Sequence, residues 1–369
     1  MIFNTAQRYI NRQVLMAVLF VTIAFLGLFF FFDAIDELPS GNNANQLSTQ
    51  GALLYVAMLM PGHLYELMPI AVLIGTIFVM ASLAQNSEFT ILRTSGLSPA
   101  RALRILLAIG ALFGAFTFVV GDYAAPYFEK MAKNHKAKAE GNLTTGLTGA
   151  WMKETHPGVH RIVNVRQLAP NGELHQVRIF NFDDAGNLTG LIKAPTATAT
   201  FDGKWTLNKA ENIQLTAASD SNQQSISIKQ DSTLSMDSGI GQGMVASALL
   251  RPESMSTMEL YTYIGHLKNN NQSAQAYEIQ FWRKVFYPLS CLVMVMLALP
   301  FAYLHFRAGN ITSAVFGGVV IGISFFLMNN VFGYIGNLNG WTPWLAAALP
   351  SLLYTGVSLL AFNWLVQKR

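Results

Sequence analysis

Six long apolar runs, three before and three after a polar middle third, constrain what this chain can fold into more than any other feature. Crossing the hydrocarbon core of a bilayer takes about 20 helical residues, and each run reaches that length. With 52% hydrophobic and 12% charged residues among 369, the composition is that of an integral membrane protein. The predicted transmembrane helices lie near residues 14–32, 64–83, 102–120, 285–306, 311–335 and 342–366.

Local sequence features predict where these helices begin and end. Residues 1–13 place Arg8 and Arg12 opposite apolar positions, which favours a short interfacial helix before the first span. No small-residue cleavage site follows, so the first span is expected to be retained. Pro61-Gly62 and Pro69 interrupt the second apolar stretch, which predicts a short helix before Pro61 and a separate span after it. Thr342-Pro343 is typical of a helix start.

Charges at the ends of the runs predict the orientation of the chain. Basic residues follow the second, fourth and sixth runs: Arg93, Arg101, Arg104, His305 to Arg307 and Lys368-Arg369. Because basic loops stay on the cytoplasmic side, both termini are expected there and the middle region outside. Arg283-Lys284 is the exception, since this topology places it outside. The net charge of +4 is too small to favour nucleic acid as a partner.

Between the second and third runs, residues 85–97 predict a short polar helix lying on the cytoplasmic face. Asn86 or Ser87 is a candidate cap, and Glu88 falls in the first turn, where the helix dipole favours an anion. Gly96 is a candidate left-handed stop before Ser98-Pro99 starts the next helix. Such a helix offers a surface to a soluble partner, with Phe89, Ile91 and Leu92 facing lipid or a partner pocket. The alternative is a cytoplasmic loop without a partner.

The middle region changes from helical to strand patterning. Past Asp122 the third helix is expected to continue, carrying Lys130, Lys133, Lys136 and Lys138 above the outer membrane surface. Residues 142–252 then alternate with a period of two, separated by turn-forming segments. These segments are Pro170-Asn171-Gly172, Asp184-Ala185-Gly186 and Asp202-Gly203. One antiparallel sandwich or jelly roll is predicted.

The predicted fold class is therefore a mixed membrane protein, with six transmembrane α-helices (3+3) and an inserted extramembranous β-jellyroll-like domain. Residues 1–13 form the interfacial helix, 14–122 the first three spans, 123–282 the periplasmic region and 283–369 the last three spans.

No catalytic or metal-binding motif is present in the sequence. There is no GxxxxGK[ST] loop for nucleotide, and neither GxSxG nor HExxH occurs. His156 and His160 are four residues apart, but Pro157-Gly158 between them prevents the helix that would align them as ligands. Cys291 is the single cysteine, so no intrachain disulfide forms. We expect a protein that is not itself an enzyme and holds no cofactor or metal.

Four stretches, together with the 3+3 layout, carry a resemblance to a known family. They are LAQNSEFTILRTSGLS, EKMAKNHKAKA, APTATATFDGKWTL and FWRKVFYPLSCLVMVMLALPF. The chain resembles, nearly end to end, the LptF/LptG lipopolysaccharide export permeases of Gram-negative inner membranes. SGLS, YPLS and NNVFGYIG before WTPWLAAALP are more similar to LptG than to LptF.

The resemblance implies a function and a set of partners. It implies a permease subunit of an ABC-type exporter, paired with an LptF-like permease and with an LptB-like ATPase dimer that binds ATP and Mg. Lipopolysaccharide would leave the inner membrane and pass through the periplasmic β domain toward an LptC-like protein. The alternatives are the sister LptF-like role, or a membrane-anchored adaptor that binds periplasmic proteins and transports nothing.

The resemblance also implies roles for particular residues. Glu88, Phe89, Leu92 and Arg93 would form the coupling helix that contacts the ATPase. Lys133 and Lys136 would hold lipid phosphates, unless they only form a solvated helix face. Phe29, Phe30, Phe32 and Ile35 would line a cavity for acyl chains, unless they face bulk lipid. The first span ends in Asp33, Asp36 and Glu37, where family members can carry lysines, so a basic gate there does not transfer to this chain.

Overall fold

The computed structural model describes residues 2–38, 47–140, 149–156, 159–169, 172–200, 202–217, 224–249, 251–303 and 311–367. Several sequence predictions lie outside these residues: the basic segment His305 to Arg307, the tail Lys368-Arg369, and Pro157-Gly158, Pro170 and Asn171. The Lys138 side chain is also outside them. The chain divides into two compact units. A helical unit comprises Met1–Leu38, Ala52–Glu129 and Gln275–Arg369, and a β unit comprises Pro39–Gly51 and Lys130–Ala274.

In the described chain, five α-helices precede the strands and six follow them. The first five are α1 (Ile2–Glu37), α2 (Thr49–Gln85), α3 (Glu88–Thr94), α4 (Pro99–Val119) and α5 (Ala125–Glu140). A π-helical turn, Val120–Ala124, joins α4 to α5, so the predicted continuation of the third helix is confirmed. After the strands come α6 (Gln242–Ala248), α7 (Thr257–Asn269), α8 (Gln275–Phe286), α9 (Ser290–Ala298), α10 (Ile311–Leu338) and α11 (Pro343–Gln367).

Six segments of the described chain are long and apolar enough to cross a membrane. They are Ala6–Glu37, Thr49–Gln85, Pro99–Lys136, Gln275–Tyr303, Ile311–Leu338 and Pro343–Trp364. These segments and the inserted antiparallel sheet confirm the predicted six spans with an inserted β domain, in which the strands pair in chain order within one sheet.

Two predicted helix breaks are wrong. Pro61 and Pro69 both lie inside the continuous helix α2. Each proline removes one backbone hydrogen bond, but apolar helices tolerate this loss because neighbouring helices and local adjustments satisfy the freed groups. Helix α1 likewise continues through the boundary predicted after residue 13, because Ile10, Val14 and Val18 are all buried and follow one another on a single helix face.

The core of the helical unit forms around α2, whose residues from Leu67 to Ile77 are all buried. Close packing there depends on glycine. A Cβ on Gly75 would lie 2.7 Å from the Val18 backbone nitrogen, and one on Gly318 would lie 2.7 Å from Ile77 Cδ1. Small residues of this kind let helix backbones approach each other inside membranes.

The β unit contains one six-stranded antiparallel sheet in the order β1-β2-β3-β4-β5-β6. Its strands are β1 (Ala150–His156), β2 (Val159–Leu168), β3 (Glu173–Phe182), β4 (Leu188–Ala199), β5 (Lys204–Ala217) and β6 (Gln224–Asp237). The predicted turns at Gly186 and Gly203 have φ of +84° and +82°, which glycine adopts without strain. Trp205 is buried at the centre of the core and its Nε1–H donates to the Ile240 carbonyl at 2.7 Å.

The strand pairing is interrupted across the middle of this sheet at Pro195, and we call this line of interrupted pairing the crease. In the strand register, Gln176 of β3 and Lys209 of β5 lie on either side of Pro195. Both have positive φ, 53° and 52°, a conformation that costs a non-glycine residue about 1 kcal/mol. Core side chains from both sides of the crease, including Ile179 and Leu207, belong to one hydrophobic cluster.

Candidate functional site

The predicted coupling helix is present but shorter than expected. Helix α3 spans Glu88–Thr94, seven residues, rather than residues 85–97. Ser87 precedes it with a φ of 59° and makes no side-chain capping hydrogen bond. The stop is as predicted, because Gly96 has a φ of 101° and the Leu97 N–H donates to the Leu92 carbonyl at 3.0 Å. Ser98 caps α4 by accepting from the Arg101 N–H.

Phe89 anchors α3 to this chain rather than facing lipid or a partner pocket, which corrects its predicted placement. Its side chain is 2% exposed, and its ring centroid lies 5.1 Å from that of Tyr303 in an edge-to-face arrangement. The Arg93 guanidinium lies over the same Tyr303 ring, 5.1 Å from its centroid. Leu92 packs partly buried against the same core. A seven-residue helix is too short to be stable alone, so these contacts hold it in place.

The outward face of α3 combines an acid with an apolar side chain. Glu88 Oε2 accepts a hydrogen bond from the Tyr9 hydroxyl of α1 at 2.8 Å. Ile91 is 61% exposed, a large apolar side chain without cover in the isolated chain. Thr90 and Thr94 are exposed beside it. Of the four predicted coupling residues, Glu88 lies on this face. Ile91, which was not among the four, lies there too.

In the β unit, lysines of α5 bind residues at and just before the start of α7. Lys130 Nζ forms an ion pair with Glu259, and Lys133 Nζ donates to Ser254 Oγ at 3.2 Å. Glu259 also completes a capping box with Ser256. Burial would raise the pKa of Glu259, but the hydrogen bonds from Lys130 and Ser256 outweigh it and lower that pKa.

The two predicted phosphate-binding lysines, Lys133 and Lys136, are both half-buried, and neither is without a partner. A lysine ammonium has three donors, and the hydrogen bond to Ser254 uses one of those of Lys133. Sequence reasoning did not separate Lys130 from these two, because its partner Glu259 is 129 residues away.

The predicted acyl-chain residues lie near the end of α1. Phe29 and Phe30 are half-buried, whereas Phe32 and Ile35 are 56% and 53% exposed. The Phe29 ring lies 4.9 Å from the His63 ring of α2, and His63 Nε2 lies 2.7 Å from Asp33 Oδ2. One of the three acids that depart from the family pattern is therefore engaged by α2. The exposed members form an apolar surface on the same helix.

Comparisons with known proteins cover the whole chain. A sequence model of the family "Lipopolysaccharide export system permease LptF/LptG" matches residues 8–364. The lipopolysaccharide export system permease protein LptG of Escherichia coli K12 is 27% identical over 375 residues, covering 100% of this chain and 99% of that protein. The protein of the same name from Haemophilus influenzae is 26% identical over 369 residues, covering 99% of each. The chain therefore belongs to the LptF/LptG family of lipopolysaccharide export system permeases.

Proposed function

We propose that this chain is the LptG-type permease subunit of an ABC-type exporter that moves lipopolysaccharide out of the Gram-negative inner membrane. The observation that carries the proposal is the match to the permease family along nearly the entire chain, with relatives named LptG that it covers end to end. The six span-capable helices and the inserted sheet supply the parts such a permease needs, a membrane cavity wall and an extramembranous lipid acceptor.

The energy would come from a separate LptB-like ATPase dimer that holds ATP and Mg, because the sequence has no phosphate-binding loop of its own. The contact surface would be the outward face of α3. Ile91 would enter an apolar pocket of the ATPase, and Glu88, held by Tyr9, would meet a cation there. A charge-assisted hydrogen bond of this kind resists separation, so it suits the transmission of a movement.

Lipopolysaccharide would be recognised in two parts. Its acyl chains would contact the exposed apolar side chains of α1, Phe32 and Ile35, together with Phe29 and Phe30. Its phosphates would bind Lys133 and Lys136. The creased sheet, lined by buried Val, Ile and Leu side chains, would then accept the acyl chains and pass the lipid toward an LptC-like protein.

The transport step would follow from differential contacts. An LptF-like sister subunit would complete the cavity, and ATP binding would close the ATPase dimer and pull on α3. Because Phe89 and Arg93 connect α3 to Tyr303 at the end of the fourth span-capable segment, that pull would reach the helix bundle directly. Lipid leaves only if the closed state has fewer favourable contacts with it than the open state. Both termini and α3 would be cytoplasmic, and the β unit periplasmic.

Photo-crosslinking in the reconstituted complex tests this function. A photo-reactive amino acid at Phe32 should trap lipopolysaccharide, and the trapped fraction should fall when ATP is added. The same substitution at Phe20, which is 73% exposed on α1, serves as a control for contact with bulk lipid. Trapping of protein but never of lipopolysaccharide from both positions would favour the adaptor function and refute transport.

A further inference from the structure

Arg283 and Lys284, the basic pair that the predicted topology leaves on the wrong side, have different surroundings in the helical unit. Lys284 is 8% exposed, and its Nζ donates to the Gly121 carbonyl at 3.1 Å, in the π-helical turn between α4 and α5. The Lys284 ammonium is therefore buried among the helices and bound to the backbone of a neighbouring helix. Arg283 is only half-buried and extends to the neighbouring helix α10.

Two residues of α10 contact the Arg283 guanidinium. Gly333 lies beside it, and a Cβ there would be in ordinary van der Waals contact with Arg283 Nη1, at 3.4 Å. Asn330, one turn away, accepts a hydrogen bond from Arg283 Nη2 at 2.9 Å. This is the hydrogen bond that Arg283 makes among the described residues, and no described carboxylate lies within ion-pair distance of it. Glu66 is in electrostatic range but forms no ion pair with it.

The residues around Arg283 and Asn330 form a surface suited to contact with membrane lipid. Asn330 is exposed within a stripe of exposed apolar residues on α10, Leu327, Val331 and Tyr334. Helix α10 has 28 residues, or about 42 Å at 1.5 Å per residue, which exceeds the hydrocarbon core of ~30 Å. Asn330 is thus close enough to the end of α10 for an arginine beside it to extend toward the headgroups.

Aromatic residues near the same end of α10 are consistent with the membrane interface. Phe332 lies 6.2 Å from Trp341, and Trp344 is 49% exposed. Tryptophan and tyrosine are enriched where hydrocarbon meets headgroups. An arginine at this level, with most of its five donors free of described partners, can bind an anion directly.

We propose that Arg283, seated over Gly333 and oriented by Asn330, binds the phosphate of a lipid headgroup at the surface formed by α8 and α10. Two parallel N–H groups of the guanidinium would each donate to one of two phosphate oxygens, and the Asn330 amide N–H would donate to the same phosphate. The site uses neither Lys133 nor Lys136. That this lipid is the exported one rests on the proposed function, whereas the phosphate site itself does not.

Lipid trapping by the full-length chain in nanodiscs tests the site. Nanodiscs of phosphatidylcholine would carry phosphorylated lipid A, phosphate-free lipid A or phosphatidylglycerol, with a photo-reactive amino acid at Tyr334 in every protein. Arg283→Gln should reduce trapping of phosphorylated lipid A about tenfold, as expected for loss of a charge-assisted pair, and Arg283→Lys should reduce it less. Phosphate-free lipid A should be trapped weakly and equally by all variants. Trapping of phosphatidylglycerol to the same extent would also support the site, with membrane phospholipid as its source.

Asn330→Asp provides a second variant that keeps the arginine. It would place a carboxylate on Arg283 and should reduce trapping as much as Arg283→Gln, whereas Asn330→Ala should retain at least half of it. Unchanged trapping by both Arg283→Gln and Asn330→Asp would overturn the proposal. So would crosslinking in native membranes solely to an acidic transmembrane helix of another protein. Failure of transport with trapping intact would instead count against the proposed function.

Discussion

Replacing Phe89 by alanine should detach the coupling helix while leaving its outward face chemically unchanged. Phe89 is 2% exposed and stacks edge-to-face on Tyr303, so its truncation removes a fully buried ring. Such substitutions cost about 3 kcal/mol or more, which lowers the ratio of docked to undocked α3 more than 100-fold at about 1.4 kcal/mol per tenfold. The purified complex should then lose ATPase copurification or the coupling of hydrolysis to lipopolysaccharide release.

Ile91→Ala is the matched control on the same helix. Ile91 is 61% exposed, so its truncation should leave the thermal stability of the isolated chain within about 0.5 kcal/mol of wild type. It should still weaken ATPase copurification if the outward face is the contact. Hydrogen exchange of the α3 amides in the isolated chain separates the two variants, since Phe89→Ala alone should speed it. Wild-type exchange and coupling in Phe89→Ala would refute the anchoring role.

Three further predictions follow from individual contacts. Glu88→Ala should weaken copurification with the ATPase or uncouple hydrolysis from transport, and wild-type complex yield with wild-type lipid release would contradict its role. Gly203→Ala should destabilise the sheet by more than 1 kcal/mol, because the residue has a φ of +82° and a Cβ would lie 2.0 Å from the Ser238 carbonyl oxygen; limited proteolysis of the β unit measures this. The folded-state pKa of Glu259 is lowered, so its contribution to stability is complete above the unfolded-state pKa and disappears as the pH falls through the folded-state pKa. Glu259→Gln should remove that acid-side dependence from hydrogen exchange of α7, and an unchanged pH profile would show that the pair with Lys130 contributes nothing.

Features with a local cause could be predicted from the sequence. The apolar runs fix the span-capable segments, and Ser98-Pro99 starts α4 as its capping chemistry requires. Gly186 and Gly203 mark turns because their positive φ suits glycine. The breaks at Pro61 and Pro69 were wrong because the packing around α2 outweighs the local cost of a proline.

Features with a distant cause could not be predicted. Phe89 was expected to face outward because its anchor, Tyr303, lies at the other end of the sequence. The Tyr9–Glu88 hydrogen bond joins residues 79 positions apart and leaves no pattern in either helix. Strand β1 has a mixed polar sequence, and its register with β2, from Ala150 opposite Val165 to His156 opposite Val159, gives this segment its structure. The sequence does not reveal a partner for Arg283, because Asn330, which accepts its hydrogen bond, lies 47 positions away.

Site-specific photo-crosslinking from position 91 in native membranes tests most directly whether this subunit is moved by a separate motor. Ile91 lies on the outward face of α3, and its replacement by a photo-reactive amino acid leaves the Phe89 anchor intact. We predict a crosslink to an ATPase subunit whose yield changes between the ATP-bound and nucleotide-free states. A crosslink to lipid or to a periplasmic protein, with no ATPase trapped in either state, would contradict the proposed function.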